Sequence, residues 1–160
     1  MDFENLYEHY SSDIYRFAFW LAGNSTDAED ITSETFVKAW AGRSRIRTET
    51  LKAYLFAIAR NIYLGNLRKA RNHIRLEDIY TDPAPGPDEN AETNHELDRA
   101  LGIIREFPET DRSAFILRVQ HDLPYTEIAR VLEISVTSAK VKVHRVRKRM
   151  ILDRLEKEAD

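Results

Sequence analysis

Between Thr137 and Arg149 the chain places six cations, Lys140, Lys142, Arg145, Arg147, Lys148 and Arg149, with Thr137, Ser138 and His144 among them. At 100° per residue, Val136, Ala139, Val143, Val146 and Met150 fall on one apolar stripe. Thr137, Ser138, Val141, Lys142, Arg145, Lys148 and Arg149 fall opposite, flanked by Lys140, His144 and Arg147. The chemistry open to such a face is electrostatic recognition. Its cations neutralise phosphates and release counterions, and short polar side chains near the helix start reach base edges in a major groove. Val141 lies at the centre of the polar face, where solvent does not favour it and a thymine methyl would. A basic amphipathic helix alone is usually a solvated face. Here it follows a short helix, Tyr125 to Leu132, and a turn, Glu133-Ile134-Ser135, in the pattern of a helix-turn-helix. Ala129, Leu132 and Ile134 are expected to form its small core.

A second constellation is acidic. On a helix beginning near Thr26, the residues Ala28, Thr32, Thr35, Phe36 and Ala39 share an inward face. Asp27, Asp30, Ser33, Glu34, Val37 and Lys38 point outward. Acids in a first helical turn favour the helix dipole, which accounts for Asp27 and Asp30 but not for Glu34 or Val37. An apolar anchor inside a charged rim is the composition of a protein-docking patch. The chain has no cysteine, which excludes a disulfide framework, a thiolate metal site and a cysteine nucleophile. No histidine lies within helical reach of the acids, so a metal or general-acid role for them is the weakest reading, and neither metal nor cofactor is expected.

These surfaces need elements to carry them. The chain has 160 residues and a formal net charge of −3, a total that by itself argues against nucleic acid. Divided by position it reads −6 over residues 1–42, +8 over 43–75, −9 over 76–111, +6 over 112–149 and −2 over 150–160. Alternating blocks of this size suit separate surfaces for separate partners. The longest apolar stretch, Phe17 to Ala22, is too short to span a bilayer, so no membrane insertion is expected. The acidic N-terminus is not that of a signal peptide, and a cytoplasmic location fits. Asp82-Pro83-Ala84-Pro85-Gly86-Pro87-Asp88 reads as a linker, because proline blocks helix and acids resist burial.

No segment alternates as a strand does, so the expected fold is all-α: two small helical domains joined by a flexible, acidic, Pro-rich linker. The expected divisions are 1–72, linker 73–94, and 95–160. The first domain reads as a three-helix bundle: Phe3 to Ala22; a capping box Thr26-Asp27-Ala28-Glu29 opening a helix to Ala41 with Gly42 as its stop; and Glu49 to Ala70, apolar on two sides. The second reads as four helices. Thr93-Asn94-His95-Glu96 caps one to Glu106, Phe107-Pro108-Glu109 opens one to His121, and the helix-turn-helix follows, with its last helix ending near Leu155.

The segments Leu123-Pro124-Tyr125-Thr126-Glu127-Ile128-Ala129, Ile134-Ser135-Val136 and Lys140-Val141-Lys142-Val143-His144-Arg145-Val146-Arg147 resemble the C-terminal domain of extracytoplasmic-function RNA polymerase sigma factors. Asp27 to Trp40 resembles that family's polymerase-binding helix, and Tyr54 to Asn61 with Leu67-Arg68-Lys69 resembles its helix facing the −10 element. Departures are Ser33 where Gln is frequent, Gly65 where Asp is usual, and Glu133 where the turn usually has Gly.

The resemblance implies a transcription initiation factor without catalytic activity of its own. Core RNA polymerase would be met through the β′ clamp helices by Asp27, Asp30, Ser33, Glu34 and Val37, and through the β flap. The loop Arg43, Ser44, Arg45 and Arg47 would hold a flipped base of the −10 element, while Arg60, Asn61, Arg68 and Lys69 track the strand. For Tyr54, a stacking or wedge role and ordinary core packing stand as equals. The −35 element would be read by Thr137, Ser138, Lys140, Val141, Lys142, His144, Arg145, Lys148 and Arg149. The resemblance also implies an anti-sigma factor as a partner, and a linker that threads a nucleic-acid channel of polymerase as an acidic mimic.

Two other functions compete. A one-component helix-turn-helix regulator would bind an operator without polymerase, as a dimer on a palindrome; an enzyme using the carboxylates from Asp27 to Glu34 would bind metal or substrate through residues 1–72. Replacing Lys142 or Arg145 by Ala is expected to weaken promoter binding and flatten its salt dependence, measured by transcription from assembled holoenzyme across a salt series. Unaltered transcription would remove the recognition-helix assignment.

Overall fold

The structure, a computed structural model, describes residues 2–46, 51–76 and 95–159. Helices α1 (Phe3–Ala22), α2 (Ser25–Ala41) and α3 (Leu51–Leu76) make one unit; α4 (His95–Arg105), α5 (Glu109–Val119), α6 (Tyr125–Leu132) and α7 (Val136–Ala159) make the other. Among the described residues there is no strand, in keeping with the all-α reading.

In the first unit α3 packs against both α1 and α2, which its two apolar sides require. Leu51, Leu55, Phe56, Ile62 and Tyr63 are buried, as are Ile14 and Phe17 of α1 and Ile31 and Phe36 of α2. Phe17 and Phe56 meet edge to face at 5.1 Å, the geometry that the ring quadrupoles favour. Thr32 and Thr35 are buried too, and each satisfies its hydroxyl by donating to the carbonyl four residues back, Ala28 and Ile31, at 2.6 Å. The turn from α1 to α2 is closed by Gly23, whose φ of 81° is a left-handed value that glycine adopts freely.

Several boundaries differ from the sequence reading. The cap of α2 is Asn24, whose Oδ1 accepts from the Asp27 backbone N–H at 2.8 Å while its Nδ2 donates to the Asp27 carboxylate at 2.9 Å. Asn24 and Asp27 have the same spacing as Thr26 and Glu29, and the helix starts one residue before Thr26. Gly42 does close α2, but with φ −95°, so no left-handed cap forms there. Helix α3 runs to Leu76 instead of Ala70, taking the first four residues assigned to the linker. Helix α5 ends at Val119 rather than His121, and α7 continues to Ala159, past Leu155. Arg47, Glu49, residues 77–94 of the linker and the Thr93-Asn94 half of the fourth helix's cap lie outside the described residues.

The second unit is organised on α7, which packs against α4, α5 and α6. Ala139, Val143 and Val146 are fully buried, with Val136 and Met150 half-buried at the ends of the stripe. In the helix-turn-helix, Ala129 and Leu132 are buried as expected and Ile134 is half-buried; Ile128 and Val131 join them inside. Glu133 takes φ 56° and ψ 46°. The Ile134 N–H then reaches the Ala129 carbonyl at 3.0 Å, and Ser135 Oγ accepts from the Ser138 N–H at 3.0 Å, capping α7. A left-handed residue with a Cβ costs about 1–2 kcal/mol, part of which glycine returns through its greater unfolded-state entropy. Glu133→Gly is therefore expected to stabilise this unit by about 0.5–1 kcal/mol, seen as a raised midpoint in urea melts. A lowered midpoint would show that the Glu133 side chain contributes more than the turn costs.

Candidate nucleic-acid and protein interfaces

On α7 the burial of Ala139, Val143 and Val146 dictates what can face outward. Thr137, Lys140, Val141, His144, Arg145, Arg147 and Lys148 are exposed, and Ser138, Lys142 and Arg149 are half-buried. Val141 is 43% exposed. The two flanks of the ridge are unequal. On one, α5 and the turn before it supply acids: Lys142 Nζ lies 3.2 Å from Asp111 Oδ1, Arg145 Nη1 3.9 Å from Asp111 Oδ2, and Arg149 Nε 3.6 Å from Glu106 Oε2. On the other, Lys140 Nζ sits 5.8 Å from the Tyr125 ring centre on α6, and Arg118 stacks on the same ring at 4.8 Å.

The sequence placed Lys142 and Arg149 on the face opposite the core; the structure turns both toward the domain. Lys142 retains 21% of its side-chain exposure and Asp111 only 5%. Asp111 sits in the first turn of α5, whose cap, Pro108, offers no side-chain acceptor, so the helix dipole also favours its charge there. Asp111 is a partner of the α7 cations that sequence reasoning missed, because a first-turn acid reads as dipole complementation. Its distance of 31 residues from Lys142 hides the pairing.

On α2, all five residues expected inside are buried, and Asp27, Asp30, Ser33, Glu34, Val37 and Lys38 are exposed. Val37 is 65% exposed, the most of the large apolar side chains among the described residues. Beside it, Glu34 and Lys38 pair at 3.2 Å. As an exposed pair one turn apart they contribute only a few tenths of a kcal/mol. The patch therefore has an apolar centre whose rim charges are cheaply rearranged.

The loop after α2 opens with a 3-10 turn, Arg43–Arg45. Arg43, Ser44 and Arg45 are exposed, but Arg43 is held: its guanidinium lies 4.2 Å from the Trp40 ring centre and its Nη1 donates to the Trp40 carbonyl at 2.9 Å. Trp40 belongs to an aromatic set with Phe3, Tyr7 and Phe36, in which Phe3 meets Trp40 at 5.6 Å and Tyr7 meets Phe36 at 5.0 Å. On α3, Asn61, Arg68 and Lys69 are exposed while Tyr54 and Arg60 are half-buried. Tyr54, Asn61 and Arg68 are seven residues apart, which puts them on one line along the helix. A Cβ on Gly42 would lie 3.1 Å from the Tyr54 hydroxyl, so glycine there lets the ring close beneath the root of the loop.

Among the described residues no group of three His, Cys, Asp or Glu could hold a metal ion, and no helix is long and apolar enough to cross a membrane.

Comparison with known proteins puts two family matches on these units. Residues 6–73 match sigma-70 region 2, and residues 97–150 match sigma-70 region 4. The ECF RNA polymerase sigma factor SigM of Bacillus subtilis is 26% identical over 155 residues, which cover 94% of this chain and 93% of SigM. SigE of Mycolicibacterium smegmatis is 29% identical over 154 residues, covering 92% of this chain but 59% of that longer relative. Among solved structures, the sigma factor RpoE of Bartonella quintana, in complex with the anti-sigma factor NepR, superposes with a TM-score of 0.78 at 25% identity. That match covers 92% of this chain and 93% of RpoE. CnrH, in complex with the cytosolic domain of CnrY, shares the fold with a TM-score of 0.69 at 23% identity.

The unequal flanks of α7 separate two kinds of cation by experiment. Lys142→Ala leaves a buried carboxylate with its nearest partner removed and is expected to cost about 1–3 kcal/mol of stability. Lys148→Ala, on the exposed ridge, is expected to stay within about 0.5 kcal/mol. Denaturant melts of the two variants check this, and equal midpoints would contradict the assignment of Lys142 to the domain interior.

Proposed function

The chain belongs to the extracytoplasmic-function sigma factors of RNA polymerase, which serve transcription initiation, and from that premise we propose how its surfaces divide the work. Residues 1–72 dock on core polymerase and hold the −10 element, residues 73–94 connect, and residues 95–160 read the −35 element. The observation that carries this reading is the exposed ridge of α7, Thr137, Val141, His144 and Lys148, standing directly opposite the buried Ala139, Val143 and Val146. A helix held from behind in this way presents that ridge, with the exposed Arg145 at its edge, to a major groove.

Docking on the β′ clamp helices falls to the α2 patch: Val37 supplies apolar burial, and Asp27, Asp30, Ser33 and Glu34 supply a polar rim that suits a basic partner. The second unit meets the β flap. At the −10 element, Arg45 and Ser44 are the exposed loop residues left to grip a flipped nucleotide, with Arg47 adjoining them in sequence, while Arg43 stiffens the loop root through Trp40. Unstacking one base costs a few kcal/mol, which phosphate contacts from Asn61, Arg68 and Lys69 along α3 offset; Arg60 and Tyr54 support the track from its half-buried side. The chain contributes binding and strand positioning and no catalytic group of its own. It acts in the cytoplasm, where core polymerase is found. An anti-sigma factor is a further partner, and the RpoE–NepR complex supports that by likeness.

Core polymerase immobilised on beads is expected to capture the full chain and to transcribe from a cognate promoter in its presence. Val37→Asp, which places a charge at the patch centre, is expected to lower capture at least tenfold while the melting midpoint stays unchanged. Capture unaffected by Val37→Asp would move the docking site elsewhere. No capture of the unaltered chain, with specific operator binding as a dimer instead, would replace this reading by that of a one-component regulator.

A further inference from the structure

We infer that Asp111 is a positioning residue for base readout: it holds Arg145 of α7 in the pose that reads the −35 element. The inference rests on the proposal above that α7 is the recognition helix. Asp111 is 5% exposed, and its two carboxylate oxygens are used differently. Oδ1 takes Lys142 Nζ at 3.2 Å, within hydrogen-bond reach and largely away from water. Oδ2 faces Arg145 Nη1 at 3.9 Å, and the Arg145 side chain remains 60% exposed.

Lys142 and Arg145 are three residues apart, so one carboxylate on α5 spans nearly one turn of α7. Lys142 anchors the carboxylate, and the anchored carboxylate attracts one edge of the Arg145 guanidinium. A guanidinium has five donors in a planar fork. With one edge drawn to Asp111, the guanidinium keeps donors free on a side chain that is 60% exposed.

A free arginine on a helix surface must lose its rotamer freedom to make a bidentate contact, whereas a buttressed one has lost much of it already. Bidentate pairing of arginine with the O6 and N7 of guanine is the commonest specific contact in the major groove. The same geometry explains why Arg145 and Lys148, both exposed cations on this face, are not equivalent. Lys148 has no carboxylate partner among the described residues and acts as a phosphate contact, insensitive to sequence. Arg145 carries the base discrimination, and Asp111 sets how sharp that discrimination is.

The test uses holoenzyme assembled from core polymerase and the full chain, with a promoter first selected from a −35 library by the unaltered factor. Each −35 base pair is then varied singly, and open-complex formation is measured across a salt series. Arg145→Ala is expected to flatten the preference at one guanine position. Asp111→Asn, equal in size but uncharged, is expected to lower discrimination at that same position about fivefold or more, with the preferences at the other positions unchanged.

Asp111→Asn leaves Lys142 without its counter-charge and can weaken folding. The double variant Asp111→Asn/Lys142→Met removes both charges of the buried pair, an exchange proteins often tolerate, and is expected to show the same loss at the same position. If both Asp111 variants keep full discrimination while Arg145→Ala loses it, the positioning role is overturned and the recognition-helix reading stands. If the Asp111 variants weaken all sequences equally, Asp111 is structural only and the inference falls. If Arg145→Ala itself changes nothing, the recognition-helix reading falls and takes the inference with it.

Discussion

Three small side chains on α7, Ala139, Val143 and Val146, have no exposed surface, and much of the second unit follows from burying them. Because they are small, α5 and α6 approach the α7 backbone closely on that side. Their burial sets the rotation of α7, and so decides which of its cations face outward. A unit of this size has little apolar area with which to hold a helix, so the orientation is secured by polar devices as well. Ser135 caps the start of α7, Glu133 accepts a left-handed conformation to make the turn, and Asp111 anchors Lys142 on the flank.

The charge pattern has the same logic. A net charge of −3 looks unsuited to a nucleic-acid partner, yet the total is a cancellation between acidic and basic stretches of the chain. The acids of α2 ring Val37, while the basic side chains lie on the loop after α2, on α3 and on α7. Asp111 and Glu106 are a different class of acid, because they pair with cations of α7 itself. They narrow the basic face to a ridge. Attraction to any phosphate backbone falls with each cation withdrawn. For a factor that must choose among many sites, that trade favours specificity over affinity.

In the first unit the equivalent devices are aromatic and hydroxylic. Thr32 and Thr35 fold their hydroxyls onto their own helix, so α2 can bury polar residues against α1 and α3 while keeping its acidic face outward. Arg43 stacked on Trp40, and Tyr54 closed against Gly42, tie the start of the loop to α2 and α3. The loop is thus presented from a rigid base, which preserves the entropy advantage of a preformed site.

Much of this was legible in the chain alone, for a physical reason. The helical period depends only on local backbone geometry, so 100° steps correctly placed Ala28, Thr32, Thr35, Phe36 and Ala39 inside and Val37 outside. Proline and acid content divided the chain, and periodicity without alternation excluded strands. Ends were harder, since Asn24 and Thr26 are both residue types that cap helices and local pattern does not choose between them; the structure uses Asn24. The flanks of α7 were beyond reach. A helical wheel separates core from solvent but cannot tell a flank that meets water from one that meets another helix. Lys142 became a half-buried cation and Asp111 its anchor because α5 lies along that side, and a pairing across 31 residues is decided by tertiary packing, not by local pattern.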